Sequence, residues 1–375
     1  MEIKNIQKKL YAVVDLNAIE DNFNSLPKPI CCVVKANAYG HGAIELASFY
    51  EKRGASYFAV SNIEEAIQLR NHGITKPILI LGYTDPLCAK EIIEYNIDQC
   101  VFSLDYAKKL NENAKLNNGK IKVHIKIDTG MGRIGFQYHD NHNELDDALS
   151  ACRLDYLIPY GIFMHFAISD EGINDFTYKQ YDNYTKAVKY LEDNGVKFTI
   201  HHVSNSGAIL DYPAFRLDMV RAGIILYGYN ASIYEHKLKP ALSLKSVVSH
   251  VKVINKGDSV SYGRTYVAKE DTRVATVPIG YADGFYRSNT GSYVIINGEK
   301  CKIIGRVCMD QMMVLSNTAK VGDEVTIIGE GITADDIAKY NHTISYEVLC
   351  SIGERVPRVY VYNGKIVSIR DNLLK

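Results

Sequence analysis

The sequence predicts an α/β protein in two parts, an N-terminal (β/α)8 barrel of the TIM type and a C-terminal, mainly β domain. Three observations carry this. At 375 residues the chain is too long for one average domain. From about residue 11 to 229, short apolar or β-branched runs alternate with amphipathic stretches, the pattern of parallel α/β folds. After Pro240 the texture changes to alternating strands punctuated by tight turns.

Eight strand-like runs fall at 30–34, 57–60, 78–81, 99–102, 123–127, 161–165, 198–203 and 224–227. Eight parallel strands suit a closed barrel. Helix-period stretches lie between them at 43–53, 63–71, 104–117 and 177–194. Beyond Pro240, strands are expected at 242–254, 274–278, 293–296, 325–328 and 359–362. The dipeptides Asn297-Gly298 and Asn363-Gly364, each flanked by apolar alternation, predict two-residue hairpins. Only 335–340 reads as helical there. The expected division is residues 10–238 for the barrel and 239–375 for the β domain, and residues 1–9 could pack with the latter.

Lys+Arg and Asp+Glu both number 43, for a formal net charge of +0. That balance removes the electrostatic reason to expect nucleic acid or an anionic membrane as partner. No apolar run reaches signal-peptide or membrane-span length, so a cytoplasmic location is expected. The eight cysteines then read as thiols. No pair has the spacing of a zinc site, and His201 beside His202 lacks the companions a metal would need. No metal is expected.

In a barrel the working groups sit where strands end, on the C-terminal face. Lys35 follows the run Ile30-Cys31-Cys32-Val33-Val34. A lysine ending a buried strand is costly unless paired or lowered in pKa for amine chemistry. The plainer alternative is a lysine that extends to water past the barrel mouth. The string VVKANAYGHG around it resembles the cofactor-lysine motif of alanine racemases, a family of barrel-type pyridoxal-phosphate enzymes. The resemblance continues through KIDTGMGRIG (126–135), MHFA (164–167), HxxNS (202–206), RAGIILYG (221–228), SYGRTY (261–266), PIGYADG (278–284), GRVCMDQ (305–311) and RVPR (355–358). Nine collinear blocks spanning nearly the whole chain are specific where one would be weak.

The resemblance implies pyridoxal 5'-phosphate carried by Lys35, with Ser206, the amides of Gly223 and Ile224 and the Tyr39 hydroxyl holding the phosphate. Barrel phosphate sites are often built after the seventh and eighth strands, which suits Ser206 and Gly223. Taken singly, those two residues read equally well as a helix cap and a turn glycine. The resemblance sets Arg221 against the pyridine nitrogen. A guanidinium there limits the ring as an electron sink and suits a reaction that only removes and returns a proton. Interconversion of L- and D-alanine, supplying D-alanine for peptidoglycan, is the implied activity.

Two bases are then needed, one for each face of the substrate carbanion. The resemblance assigns Lys35 to one and Tyr262 to the other, with His165 and His202 ordering the surroundings. A tyrosine is a poor base near neutrality unless its phenolate is stabilised. Arg133 is implied as a contact of cofactor and substrate carboxylate, oriented by a carbamate on Lys126; the alternative is a free lysine near chloride or a carboxylate. Met309 and Tyr281 are implied at the substrate, with Arg287, Arg306 and Asp170 beside Tyr281 at the entrance; on the sequence alone those last four read equally well as solvated surface. Tyr262 and Met309 lie in the β domain, and the resemblance implies that they reach the partner's barrel in a homodimer.

One position departs from the pattern. The family often has a tyrosine immediately before RVPR, in reach of a cofactor phosphate, and this chain has Glu354. An ionised carboxylate is repelled by phosphate. Strict preference for alanine is therefore in question, and a serine or broad-specificity amino-acid racemase is the nearest rival. A barrel-type decarboxylase fits less well, because an acidic group typically replaces Arg221 there. A non-catalytic pyridoxal-phosphate carrier would lack the β domain and its tyrosine.

Overall fold

The computed structural model describes residues 10–374. They form two compact units: Asn22–Ala38 with Gly42–Leu238, and a second made of the residues up to Asp21, Tyr39–His41 and those from Lys239 onward.

The first unit is a closed parallel barrel. Its strands are Ile30–Val33, Tyr57–Val60, Ile78–Ile80, Asp98–Val101, Ile121–Asp128, Leu157–Phe163, Ile200–His202 and Val220–Ala222. Each of the first six pairs in parallel with the next, and the eighth pairs with the first. The ring closes where the Arg221 amide donates to Ser204 O at 3.0 Å and the Asp218 amide to His201 O at 3.1 Å. The first four strands are buried along their whole length. That explains why the first three read as continuous apolar runs, whereas the fourth opens on the buried polar pair Asp98 and Gln99. Four of the helices in this unit begin where short polar side chains cap them. Asn62 accepts from the Glu65 amide, Ser103 from Tyr106, Asn174 from Thr177 and Asn205 from Ala208.

The eighth strand differs from expectation. The run 224–227 is a fully buried 3-10 turn, and the strand is the preceding Val220–Ala222. A four-residue apolar run has no periodicity that separates strand from buried turn. The shift matters, because it puts Arg221 inside the strand and Gly223 and Ile224 at its C-terminal end.

The second unit is built on a ten-stranded, mostly antiparallel sheet. Both predicted hairpins are present. Ile296 faces Glu299 across Asn297 (φ 51°) and Gly298 (φ 79°), and Tyr362 faces Lys365 across Asn363 (φ 50°) and Gly364 (φ 72°). Positive φ at both central residues is the turn that Asn-Gly favours. The strand Leu10–Asp15, assigned above to the barrel part, lies in this sheet. It runs antiparallel to Leu242–Val247 and parallel to Arg358–Tyr362. A strand with Tyr11, Ala12 and Val14 all buried needs partners on both edges, and the barrel's eight places are filled. The expectation for residues 1–9 lies outside the described residues. A second helix, Ser345–Cys350, accompanies Ala334–Tyr340. It has no side-chain cap, and its Tyr and Val disguise it as strand. Among the described residues, no helix is long and apolar enough to cross a membrane.

Candidate active site

Lys35 stands two residues beyond the first barrel strand, at the C-terminal mouth. The chain after it does something uncommon. Ala36, Asn37, Ala38 and Tyr39 all have φ between 50 and 53°, a left-handed turn of four L-residues. Each such residue costs roughly 1–2 kcal/mol. Neighbours offset the cost with specific bonds: the Ala38 amide to Val34 O, the Gly42 amide to Asn37 O, the Ala43 amide to Asn37 Oδ1, and the Ala36 amide to Glu65 Oε1, all at 2.7–2.8 Å. Strain held in place by its surroundings is typical of functional sites. In the second unit Arg358, the last residue of RVPR, is buried and donates to the carbonyls of Gly40, Ile352, Gly353 and Val356. The Tyr360 hydroxyl donates to His41 O. The Tyr39 ring packs against Tyr346 at 5.8 Å. Thus the end of the lysine motif is clamped by the sheet, a structural role for Arg358.

Arg221 is buried on the eighth strand. Nη1 donates to His202 Nδ1 (3.0 Å) and His202 O (2.7 Å). Nη2 donates to Met164 O (2.8 Å), Val203 O (3.0 Å) and His165 Nδ1 (3.4 Å). All five acceptors are neutral. Burial pulls the guanidinium down to about 10, which leaves it charged near neutrality. His202 and His165 are held well below the ordinary histidine range by burial first and the charge of Arg221 second. Arg133, Lys126 and Lys35 add to the effect on His165, which puts all three cations within its electrostatic reach. Both imidazoles are therefore neutral at pH 7. Phe163 floors the cluster: its ring stacks on His202 at 4.8 Å, with Arg221 Cζ at 5.4 Å and Lys126 Nζ at 5.5 Å.

Lys126 projects from the fifth strand and is almost fully buried. Burial, with Arg133 and Arg221 adding to it, lowers its ammonium to about 8. Arg133 itself is exposed on the loop beyond.

After the seventh strand, Asn205 caps the helix Ser206–Asp211, so the Ser206 hydroxyl is not spent on that cap. Ser206 Oγ accepts from the Gly223 amide at 3.1 Å and ties the ends of strands seven and eight together. Ile224 opens the following 3-10 turn, where the first N–H groups have no acceptor within the turn. A hydroxyl and main-chain donors thus share one rim.

Tyr262, Tyr281 and Met309 belong to the second unit. They are exposed at 70%, 39% and 52%. Tyr262 starts a short turn in which Ser261 and Gly263 have positive φ. Arg287, Arg306, Asp170 and Glu354 are also exposed. His201 points away from the cluster, to Asp218 (3.0 Å) and Glu192 (3.3 Å). Among the described residues no group of three potential ligands is placed to hold a metal. Sequence reasoning missed His124, Asp98 and Tyr57, which continue the buried network below His202. A signal existed, since His124 lies two residues before Lys126 and therefore shares its face of the strand.

A strand-end lysine, a rim of hydroxyl and amide donors and a charged arginine on neutral acceptors define an α/β-barrel enzyme equipped for an amine and an anion. Residues 14–231 match the family model described as alanine racemase, N-terminal domain, and residues 241–360 match alanine racemase, C-terminal domain. An alanine racemase of Clostridium perfringens is 46% identical, over 97% of this chain and 98% of its own length. The structure of alanine racemase from Clostridium difficile 630 superposes with a TM-score of 0.93 at 45% identity, covering 98% of this chain and 100% of that one. A histidine racemase from Leuconostoc mesenteroides superposes at 0.86 with 31% identity, covering 95% and 99%. The chain belongs to the alanine racemase family.

Proposed function

We propose that this protein interconverts L- and D-alanine with pyridoxal 5'-phosphate, as a cytoplasmic homodimer supplying D-alanine for peptidoglycan. The observation that carries the reading is Arg221, a charged guanidinium fixed by five neutral acceptors at the barrel mouth. The donor set fits the cofactor. An aldehyde needs an amine, and Lys35 ends the first strand. A phosphate needs donors, and Ser206 with the Gly223 and Ile224 amides at the ends of strands seven and eight, together with the Tyr39 hydroxyl, are the groups assigned to it in this reading. A pyridine nitrogen facing a permanently charged donor stays unprotonated, and Arg221 is that donor.

When bound, the cofactor makes the substrate's Cα–H acidic. The protein's part is to choose which proton moves and from which face. Lys35 Nζ holds and returns a proton on one face of Cα, and Tyr262 Oη does so on the other. Arg221 restrains the ring as an electron sink and so disfavours transamination. Arg133 orients the substrate carboxylate, and Met309 and Tyr281 of the partner subunit line its side chain. Their exposure on one protomer, with that of Tyr262, supports a site completed by a second copy. Incubation of purified protein with each L-amino acid and chiral chromatography tests the proposal. D-alanine is the expected main product, and the absence of any D-amino acid would overturn it.

Lys126 is read as carrying a carbamate that orients Arg133. A lysine lowered to about 8 has ~10% free amine at pH 7, where an ordinary lysine has less than 0.1%. The free amine is the form that attacks CO2. Protein equilibrated with ¹³C-labelled bicarbonate is expected to show one carbamate carbon resonance that Lys126→Arg removes. At fixed dissolved CO2 its occupancy should rise as pH passes upward through 8.

A second reading concerns specificity and rests on Glu354, an exposed carboxylate where a phosphate-facing tyrosine is common. It neither fills space beside a methyl group nor donates to phosphate while ionised. L-serine is expected as a measurable second substrate, with alanine preferred by a modest margin of about 1–3 kcal/mol. Glu354→Tyr should tighten cofactor retention and raise the alanine-to-serine ratio of kcat/KM. Steady-state kinetics on both substrates checks this.

A further inference from the structure

The network around Arg221 does not stop at His202. His202 Nε2 lies 2.8 Å from His124 Nδ1. His124 Nε2 lies 3.4 Å from the Tyr57 hydroxyl and 3.5 Å from Asp98 Oδ2. The Tyr57 hydroxyl donates to Asp98 Oδ2. His124, His202, Asp98 and Tyr57 are all buried, between 0 and 3% exposed. They lie inside the barrel on four different strands, and Asp98 and Tyr57 are the first residues of theirs.

We infer that His202, His124, Tyr57 and Asp98 form a one-directional hydrogen-bond chain through the barrel core that positions Arg221. Its direction follows from its ends. A guanidinium only donates, and an ionised carboxylate only accepts. Imidazole and phenol do either, so they take the polarity the ends impose. Arg221 donates to His202 Nδ1, which must therefore be bare, and His202 carries its proton on Nε2. That proton points at His124 Nδ1, which must be bare in turn. His124 then donates from Nε2 to Tyr57 and Asp98, and Tyr57 donates to Asp98. A second proton on either ring would set two donors face to face at 3.0 or 2.8 Å. Both rings are therefore neutral and in the same tautomer.

The packing shows that the His124 ring has a built place. A Cβ on Gly161 would come within 2.3 Å of His124 Nδ1, so the sixth strand carries a glycine where the ring passes. Phe163, two residues on, lies almost parallel to the His202 ring at 7°. The buried carboxylate at the far end balances the buried guanidinium across the two neutral rings, without touching it. An isolated buried charge is costly, and a chain of polarised bonds spreads that cost. Asp98, Tyr57 and His124 are thus positioning residues: they fix the lone pair that holds Arg221 Nη1, and leave Nη2 to the Met164 and Val203 carbonyls and His165 Nδ1.

The catalytic consequence rests on the function proposed above, but the chain is testable without it. Full-length, cofactor-free protein labelled with ¹⁵N-histidine is examined by long-range ¹H–¹⁵N correlation near pH 7, with His124→Gln and His202→Gln providing assignments. Both rings are expected with a bare Nδ1 and a protonated Nε2. Either ring protonated on Nδ1 would overturn the proposal. Asp98→Asn replaces the acceptor-only terminus with a group that also donates. His124 should then sample both tautomers, and the Nε2 signal of His202, which does not contact residue 98, should shift as its bond to His124 weakens. An unchanged His202 signal in that variant would refute the coupling; should Asp98→Asn fail to fold, Tyr57→Phe, which removes one of the two acceptors of His124, should shift the same signal by less, and no shift there would refute it. In cofactor-loaded protein Asp98→Asn should lower kcat with little change in KM and raise keto-acid by-product. A wild-type protein with the expected tautomers and no racemase activity would refute the function and leave the chain standing.

Discussion

Lys35→Ala protein is expected to fold, to lose its firmly held cofactor and to lose racemisation almost completely. The substitution removes two things at once, the amine that anchors the cofactor and the acid/base group on one face of Cα. Loss of a positioned acid/base alone typically costs ~10²–10⁴-fold in rate. Folding should survive, because Lys35 follows the strand and the left-handed turn is held by bonds from Asn37, Val34 and Glu65. Purified wild-type protein should be yellow. Borohydride reduction and peptide mapping should place a pyridoxyl group on Lys35, with none in the Lys35→Ala protein. A label on Lys126 would reverse the assignment of the two mouth lysines. That control is demanding, because Lys126 is also lowered, to about 8.

Much of the fold is legible in the sequence because its signals are local. The three opening barrel strands are buried on both faces, so each is a short apolar run. Four of the helices between or after them carry Asn or Ser caps at their starts. The two Asn-Gly pairs sit where φ must be positive twice in succession. What is not legible depends on contacts distant in sequence. The strand Leu10–Asp15 pairs with segments more than 200 residues away, and no local feature separates it from a barrel strand. The buried 3-10 turn at Ile224–Tyr227 has strand composition because burial, not periodicity, selects its residues.

The site divides the same way. Lys35 shows itself as a cation ending an apolar strand, and Lys126 repeats that pattern on the fifth strand. Arg221 shows itself less clearly, since a buried arginine is recognised only by its acceptors, and four of its five are main-chain carbonyls or ring nitrogens from residues 164, 165 and 202 with the fifth from 203. Asp98 and Tyr57 begin their strands and look like ordinary boundary residues. Only the closed barrel brings them under His124. The left-handed turn after Lys35 is likewise invisible in composition, as Ala-Asn-Ala-Tyr has no glycine to mark it.

Tyr262→Phe should retain cofactor and lose racemisation by ~10²–10⁴-fold, the usual cost of removing a positioned acid/base. The phenylalanine keeps the ring and deletes only the hydroxyl, so cofactor absorbance should match the wild type. The side chain is 70% exposed in one protomer, which makes a folding defect an unsuitable explanation for lost activity. Exposure also bears on where it works. A base must exclude water around the proton it moves, and a side chain this open is suited to the task only when another surface covers it. If that surface is the barrel mouth of a second copy, Lys35 and Tyr262 of one site come from different chains. Mixing inactive Lys35→Ala and Tyr262→Phe proteins under conditions of subunit exchange should then form heterodimers with one intact site and one doubly damaged site. Recovered activity should approach one site per heterodimer, measured against exchange verified by mass spectrometry. With exchange complete and no activity regained, both residues must serve the same chain, and the shared site is wrong. Racemisation at the wild-type rate by Tyr262→Phe alone would move the second base elsewhere, with Tyr266 the next to test.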